Sequence, residues 1–310
     1  MKIICSTVVR AAKQGDMHGG LYVIDIDSGK VVHHAPYEMD FVNDNERGGE
    51  RGLRGICVLP DRIIVSDSAG FIELDKNTYQ IKRTHSDRDY FKSIHEICFS
   101  DGFLWVTSTA YDAVAKLDLD FNVLDFWEIK GNSLESSKEL TGKVSISSEE
   151  KTSDDNYHIN SIFADNGKVL VAGLLTPLYD IETMQEVCAI PYLQAHGHKI
   201  HSFVHNFYKY EDMTIANLTS FNALGISKNN IDFSIHKIPR SSHVTYHIDS
   251  IAKNNWNRGL ARKDNILLIG SSPARILVYD LETDEFIKEI KLEEDMKHAI
   301  HGLEILDEVQ

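Results

Sequence analysis

The chain has 310 residues, 42% hydrophobic and 25% charged, an ordinary globular balance that excludes disordered and fibrous classes. Its formal net charge of −15 at pH 7 excludes nucleic acid as the main partner, since phosphate backbones are bound by clustered Lys and Arg; a local basic pocket for a small anion remains compatible with it. No window approaches the roughly 18 apolar residues of a membrane span.

The opening MKIICSTVV soon meets Arg10, Lys13 and Asp16 and reads as a strand rather than a secretory leader, so a cytoplasmic protein without a membrane partner is expected. GGLYVIDI and GKVVHHA follow as two more strands. From Arg54, RGICVLPDRIIVSDSAG gives a short apolar run, a turn, and a β-branched run ending in small hydroxyl residues. HEICFSDGFLWVTSTAY from His95 aligns with it without a gap, and NSIFADNGKVLVAGLLT from Asn160 keeps the register. HNFYKYEDMTIANLTSF from His205 needs a one-residue adjustment, and RGLARKDNILLIGSSPA from Arg258 needs none. The tail HAIHGLEIL matches the first strand of the unit. A further strand in five of the units ends in Asp25, Asp75, Asp118, Asp180 or Asp280, with Ser, Thr or Asn beyond it. Such an aspartate accepts amides two or three residues ahead and fixes a tight turn, so these residues are structural.

Four short strands over about 40–50 residues are a propeller blade. The fold predicted is all-β, one six-bladed β-propeller of four-stranded blades spanning 1–310. Its blades fall near 301–310 with 1–38, then 52–91, 93–130, 158–191, 203–240 and 256–295. Strands from both termini share the first of these, which closes the ring and leaves no free edge. The four cysteines lack CxxC spacing and read as buried free thiols in a reducing compartment.

The residue opening the innermost strand of each blade lines the channel mouth. Around the ring that register reads His301, Arg54, His95, Asn160, His205 and Arg258. Histidines on alternate blades can meet at one ion, so His95, His205 and His301 are candidate ligands, with His158 as a fourth, for a divalent transition metal such as Fe, Zn or Mn. Three imidazoles leave open positions, which is a catalytic rather than a closed structural arrangement. Arg54 and Arg258 offer donor forks to a carboxylate, phosphate or sulfate, and Asn160 can give and accept one hydrogen bond each. Trp256 can wall the pocket, stack on a ligand, or simply pack between blades. Glu96 and Glu304 are candidate acids or bases, or second acceptors that hold an imidazole.

The leading expectation is a metal-assisted lyase, hydrolase or oxygenase acting on a small anionic molecule. A metal-free binding module for such an anion and a protein-interaction scaffold stand beside it. So does a purely structural role for the ring, with histidines bonding neighbouring blades. Loops at Arg10–Gly19, Glu38–Glu50, Gly131–Tyr157, Tyr192–Ile200 and Ser241–Trp256 lie outside the repeat, the third being a lid or a disordered insertion. His196 and His198 form an HxH that could bind metal on a strand edge or be solvated. No GxSxG, Walker A, GxGxxG or HExxH occurs, and covalent Ser or Cys catalysis has no support.

Across nearly its whole length the repeat resembles the six-bladed propeller superfamily, which includes gluconolactonase-type calcium enzymes and NHL-type repeat proteins. The calcium enzymes use Glu, Asn and Asp about the axis, and only Asn160 matches in kind, so their lactonase activity is not implied. The histidine ring is similar in site chemistry alone to the carotenoid oxygenases, whose seven blades and longer chains differ. The RGLA and HN openings also look like those of an uncharacterised bacterial propeller family.

Overall fold

Short apolar runs broken by Asp- and Gly-bearing turns favour antiparallel strands, and the computed structural model pairs them so throughout. It describes residues 1–39, 51–130, 133–136, 157–165, 167–174, 176–183, 185–195, 197–210, 213–241 and 255–306. Among these, the helical elements are two single 3₁₀ turns, Thr109–Tyr111 and Thr219–Phe221, and no helix is long and apolar enough to cross a membrane.

The chain forms two compact units, residues 1–84 with 238–310, and residues 85–237. In the first unit β1 (Lys2–Val9), β2 (Gly19–Asp25) and β3 (Lys30–Tyr37) follow the last strand, β27 (His298–Ile305), in the order β27-β1-β2-β3. Its second sheet is β4 (Ile56–Val58), β5 (Arg62–Ser66), β6 (Gly70–Asp75) and β7 (Ile81–Ser86). The third is β23 (Leu260–Lys263), β24 (Ile266–Ser271), β25 (Arg275–Asp280) and β26 (Glu285–Lys291). In the second unit the first sheet is β8 (Ile94–Ser100), β9 (Phe103–Ser108), β10 (Ala113–Leu117) and β11 (Val123–Lys130). Then come β13 (Ile159–Asp165), β14 (Lys168–Gly173), β15 (Leu178–Asp180) and β16 (Gln185–Cys188). The last is β19 (Val204–Tyr210), β20 (Met213–Leu218), β21 (Ala223–Ser227) and β22 (Ser234–Lys237). These six sheets are the blades of a six-bladed propeller, and the terminal strands share one blade as the repeat predicts.

Two elements were not expected. Strand β12 (Ser133–Ser136) adds a fifth strand beyond β11. β17 (Tyr192–Ala195) and β18 (His198–His201) make a separate hairpin where the repeat suggests a loop. The lid reading of Gly131–Tyr157 falls outside the described residues apart from 133–136 and Tyr157, as do His196, His243 and His247.

Burial follows position in the blade. β1 and β2 are buried on both faces, whereas the outer strands β3, β7 and β26 alternate towards solvent. That is why inner strands read as continuous apolar runs and outer ones carry Lys, His and Glu. In the first unit Ile24, Ile276, Ile300 and Leu303 share one core cluster, and Ile4, Ile56, Ile63 and Val65 another. In the second, Trp105, Val114, Ile162 and Val171 pack together, as do Leu170, Val204, Phe207 and Leu218. Each such side chain contributes roughly 1.5–3 kcal/mol when fully buried.

The aspartate turns form as the sequence implies. Asp75 Oδ1 accepts the amides of Asn77 and Thr78, and Asp25, Asp118, Asp180 and Asp280 repeat the device. Cys5, Cys57 and Cys188 are buried free thiols and Cys98 is partly so; burial pushes the Cys188 thiol up to about 11 and Cys5 and Cys57 higher. The small residue ending the second strand also has a cause. A Cβ on Gly173 would sit 2.3 Å from the Tyr157 carbonyl oxygen, and one on Gly270 would sit 2.3 Å from that of Arg258.

Candidate metal centre

The register that opens each innermost strand carries a β-bulge in every blade. His95 and Glu96 oppose Thr107, Asn160 is extra between Ile159 and Ser161, and Asn206 is extra between His205 and Phe207. His301 and Gly302 oppose Ser6. Arg54 with Gly55, and Arg258 with Gly259, share Ser66 and Gly270 in the same manner. Bulges re-aim side chains and cluster beside functional sites. Hydroxyls hold them: the amides of His95 and Glu96 both donate to Thr107 Oγ1, at 3.2 and 2.9 Å, and the Gly302 amide donates to Ser6 Oγ at 2.8 Å.

In the second unit the bulges on β8 and β19 bring His95 and His205 to 6.0 Å between ring centres, nearly parallel. His158 stands at the entry to β13, 4.7 Å from His95 and 5.9 Å from His205, its ring close to perpendicular to both. One ring nitrogen from each lies within 4.8 Å of those of the other two. His95 and His205 are buried and His158 is half-buried, so the cluster has an open side.

His158 owes its place to the backbone. Its φ of +49° lies in the left-handed region, where a non-glycine residue is strained by roughly 1–2 kcal/mol. Neighbouring bonds hold it there. The Tyr157 amide donates to the Asp112 carboxylate at 3.1 Å, and the Tyr157 carbonyl accepts from the Leu174 amide at 3.0 Å. His205 is fixed differently: its Nδ1 lies 3.0 Å from Thr219 Oγ1, and that hydroxyl donates to the Asn217 carbonyl at 3.5 Å. The hydroxyl at Nδ1 orients the imidazole ring. This is the arrangement by which an outer partner prepares an imidazole ligand.

The donor set fits a transition ion. Three corners at most 4.8 Å apart surround a point no more than 4.8/√3, or about 2.8 Å, from each. Small side-chain rotations bring that to the roughly 2.0–2.1 Å of a Zn–N bond.

The other predicted residues divide between the units. Asn160 donates from Nδ2 to the Val204 carbonyl of β19 at 3.0 Å and accepts from Ser161 Oγ of its own strand at 2.9 Å, so one amide end ties β13 to the next blade. Glu96 is buried and accepts from Asn206 Nδ2 at 2.7 Å; Asn206 in turn accepts from Asn217 Nδ2 at 3.3 Å. Asn206, one residue past the ring register, was missed in the sequence. In the first unit His301 is buried on β27 and Arg54 is buried before β4. The guanidinium carbons of Arg10 and Arg258 stand 3.7 and 4.8 Å from the Trp256 ring centre. Glu304, opposite Ile4, lies close enough to Cys57 to raise that thiol. The residue is half-buried, but its carboxyl is enclosed by protein, and this desolvation raises it from 4.5 to about 8, with the Ile305 amide opposing.

Solved structures confirm the architecture. The chain is similar to a protein of unknown function from Bacteroides caccae, at 10% identity and a TM-score of 0.56 over 97% of this chain and 98% of that one. A chain of the nidogen/laminin complex is similar at 6% identity and a TM-score of 0.58, over 98% of each. Virginiamycin B lyase from Staphylococcus aureus is similar at 9% identity and a TM-score of 0.52, over 96% of this chain and 94% of that one. The fold is the six-bladed β-propeller. No family model and no curated protein matches the sequence, so the likeness carries fold alone.

Proposed function

We propose that this propeller is a metal-assisted enzyme acting on a small anionic molecule, with His95, His158 and His205 binding one divalent transition ion. The observation that carries the reading is the convergence of three ring nitrogens within 4.8 Å on a half-open cluster. His158, an accessory fourth ligand in the sequence reading, becomes a principal one here. His301 belongs to the first unit and is not part of this set. A three-imidazole ion has positions left for a substrate oxygen, and a Lewis acid there polarises a carbonyl or binds an anionic oxygen. Thr219 orients the His205 ring through Nδ1, and the Asp112–Tyr157 contact holds His158. That the same architecture serves a lyase from Staphylococcus aureus is compatible with this chemistry and adds no residue to it.

Elemental analysis of protein purified without a histidine tag tests the reading. About one equivalent of Fe, Zn or Mn per chain is expected, with less than a tenth of that in His158→Ala and His205→Ala variants that remain folded. Substoichiometric metal, unchanged in both variants, would leave the metal-free module as the better account.

A further inference from the structure

We infer that Glu96 and Asn206 are positioning residues for the imidazole cluster: the hydrogen bond between their side chains joins β8 to β19 and fixes the spacing of His95 and His205. For its consequence on ion affinity the inference rests on the metal reading above. The spacing itself is a property of the metal-free chain.

The device begins with the two bulges. In a regular strand consecutive side chains point to opposite faces, so neighbours such as His95 and Glu96 would not serve one space. At β8 the ladder passes from Ile94 opposite Ser108 to Ile97 opposite Val106, which leaves His95 and Glu96 facing Thr107 alone. Thr107 Oγ1 accepts both their amides, at 3.2 and 2.9 Å, and donates to the Glu96 carbonyl at 3.2 Å. At β19 the extra residue is Asn206, with a φ of +52°, a left-handed conformation that Asn adopts more readily than most residues. The contacts then run in step. The His95 and His205 rings stand 6.0 Å apart between centres, and one residue further on Asn206 Nδ2 donates to Glu96 Oε1 at 2.7 Å.

Strands β8 and β19 belong to different sheets and share no ladder, so side chains must set the distance between them. Both partners of the bond are buried, which keeps water from replacing either. Asn206 is itself anchored: its Oδ1 accepts from Asn217 Nδ2 on β20 at 3.3 Å, and Asn217 is the ladder partner of His205. Asn206 Nδ2 also donates to the Tyr208 hydroxyl at 3.3 Å, and the Tyr208 ring stacks on Phe163 of β13 with centres 4.6 Å apart. The network thus reaches the strand that His158 leads into. The ring register carries the same message. Arg54, Arg258 and His301 are each followed by glycine, whereas the two ring histidines of the cluster are followed by Glu96 and Asn206.

Two readouts on the full chain test the inference: histidine ring resonances of metal-free, nitrogen-15-labelled protein, and zinc affinity by isothermal titration. Glu96→Ala and Asn206→Gly remove one partner each, and glycine accepts the left-handed φ. Each variant should shift the resonances of both His95 and His205 and weaken zinc binding about tenfold or more. The double variant should lose no more than about threefold beyond the weaker single, since both remove one bond. Glu96→Gln keeps an acceptor for Asn206 and should preserve both readouts, which general destabilisation would not predict. Unmoved resonances in both single variants, additive losses, or a Glu96→Gln loss equal to that of Glu96→Ala would each overturn the inference. Resonances that move in a protein whose wild type takes up no zinc would support the spacing role and overturn the metal reading alone.

Discussion

Glu304→Gln should remove a pH-dependent loss of stability. In the folded chain the carboxyl of Glu304 is raised from 4.5 to about 8 by desolvation, while in the unfolded chain it ionises near 4.5. Between those values the folded state holds a proton that the unfolded state has released. Stability contributed by this group is therefore complete below pH 4.5 and is lost as pH rises through 8. One proton corresponds to about 1.4 kcal/mol per pH unit, a ceiling of about 4 kcal/mol from pH 4.5 to 7.5. Local relaxation and water penetration relieve part of this, and about 2 kcal/mol is the reasonable expectation. Glutamine keeps the shape and cannot ionise. Urea unfolding at pH 5, 6, 7 and 8, followed by tryptophan fluorescence, gives both stability curves. Histidine and other carboxylate contributions are common to the two proteins and cancel in the difference. Near-equality at pH 5 and a glutamine variant more stable by about 2 kcal/mol at pH 8 are predicted. Parallel curves, or a variant less stable at pH 8, would mean that the carboxylate is charged and well partnered, and would refute the reasoning.

Three further outcomes follow from named contacts. Thr219→Val should lower metal affinity 10–100-fold while leaving the melting temperature within a few degrees, and Thr219→Ser should restore it, as isothermal titration with zinc can show. Gly173→Ala would press a methyl against the Tyr157 carbonyl, so both metal affinity and stability should fall, the latter by about 2–4 kcal/mol in urea unfolding. Arg275→Met breaks a buried charge-assisted network and should cost about 3 kcal/mol in the same assay.

The fold was legible because its signals are local and repeated. Asp75 and Asp280 mark the same turn in different blades, and the terminal match of HAIHGLEIL to a blade's first strand predicts the β27–β1 pairing. The hairpin β17–β18 was not legible because YLQAHGHKIH lacks the apolar alternation of a half-buried strand, and β18 is exposed at every residue. The candidate site was half legible. Reading one register finds His95 and His205, since the bulge that presents them recurs at that register. It cannot rank His158 above His301, because the place of His158 depends on a left-handed φ supported by Asp112 after the Thr109–Tyr111 turn and by Gly173 on β14.

Cobalt(II) titration of metal-stripped protein, read in the visible spectrum, tests the central claim most directly. Three imidazoles with one or two further ligands should give an intense low-coordinate band that saturates near one equivalent, and His158→Ala should abolish it. A weak six-coordinate spectrum, the same in wild type and His158→Ala, would contradict the account.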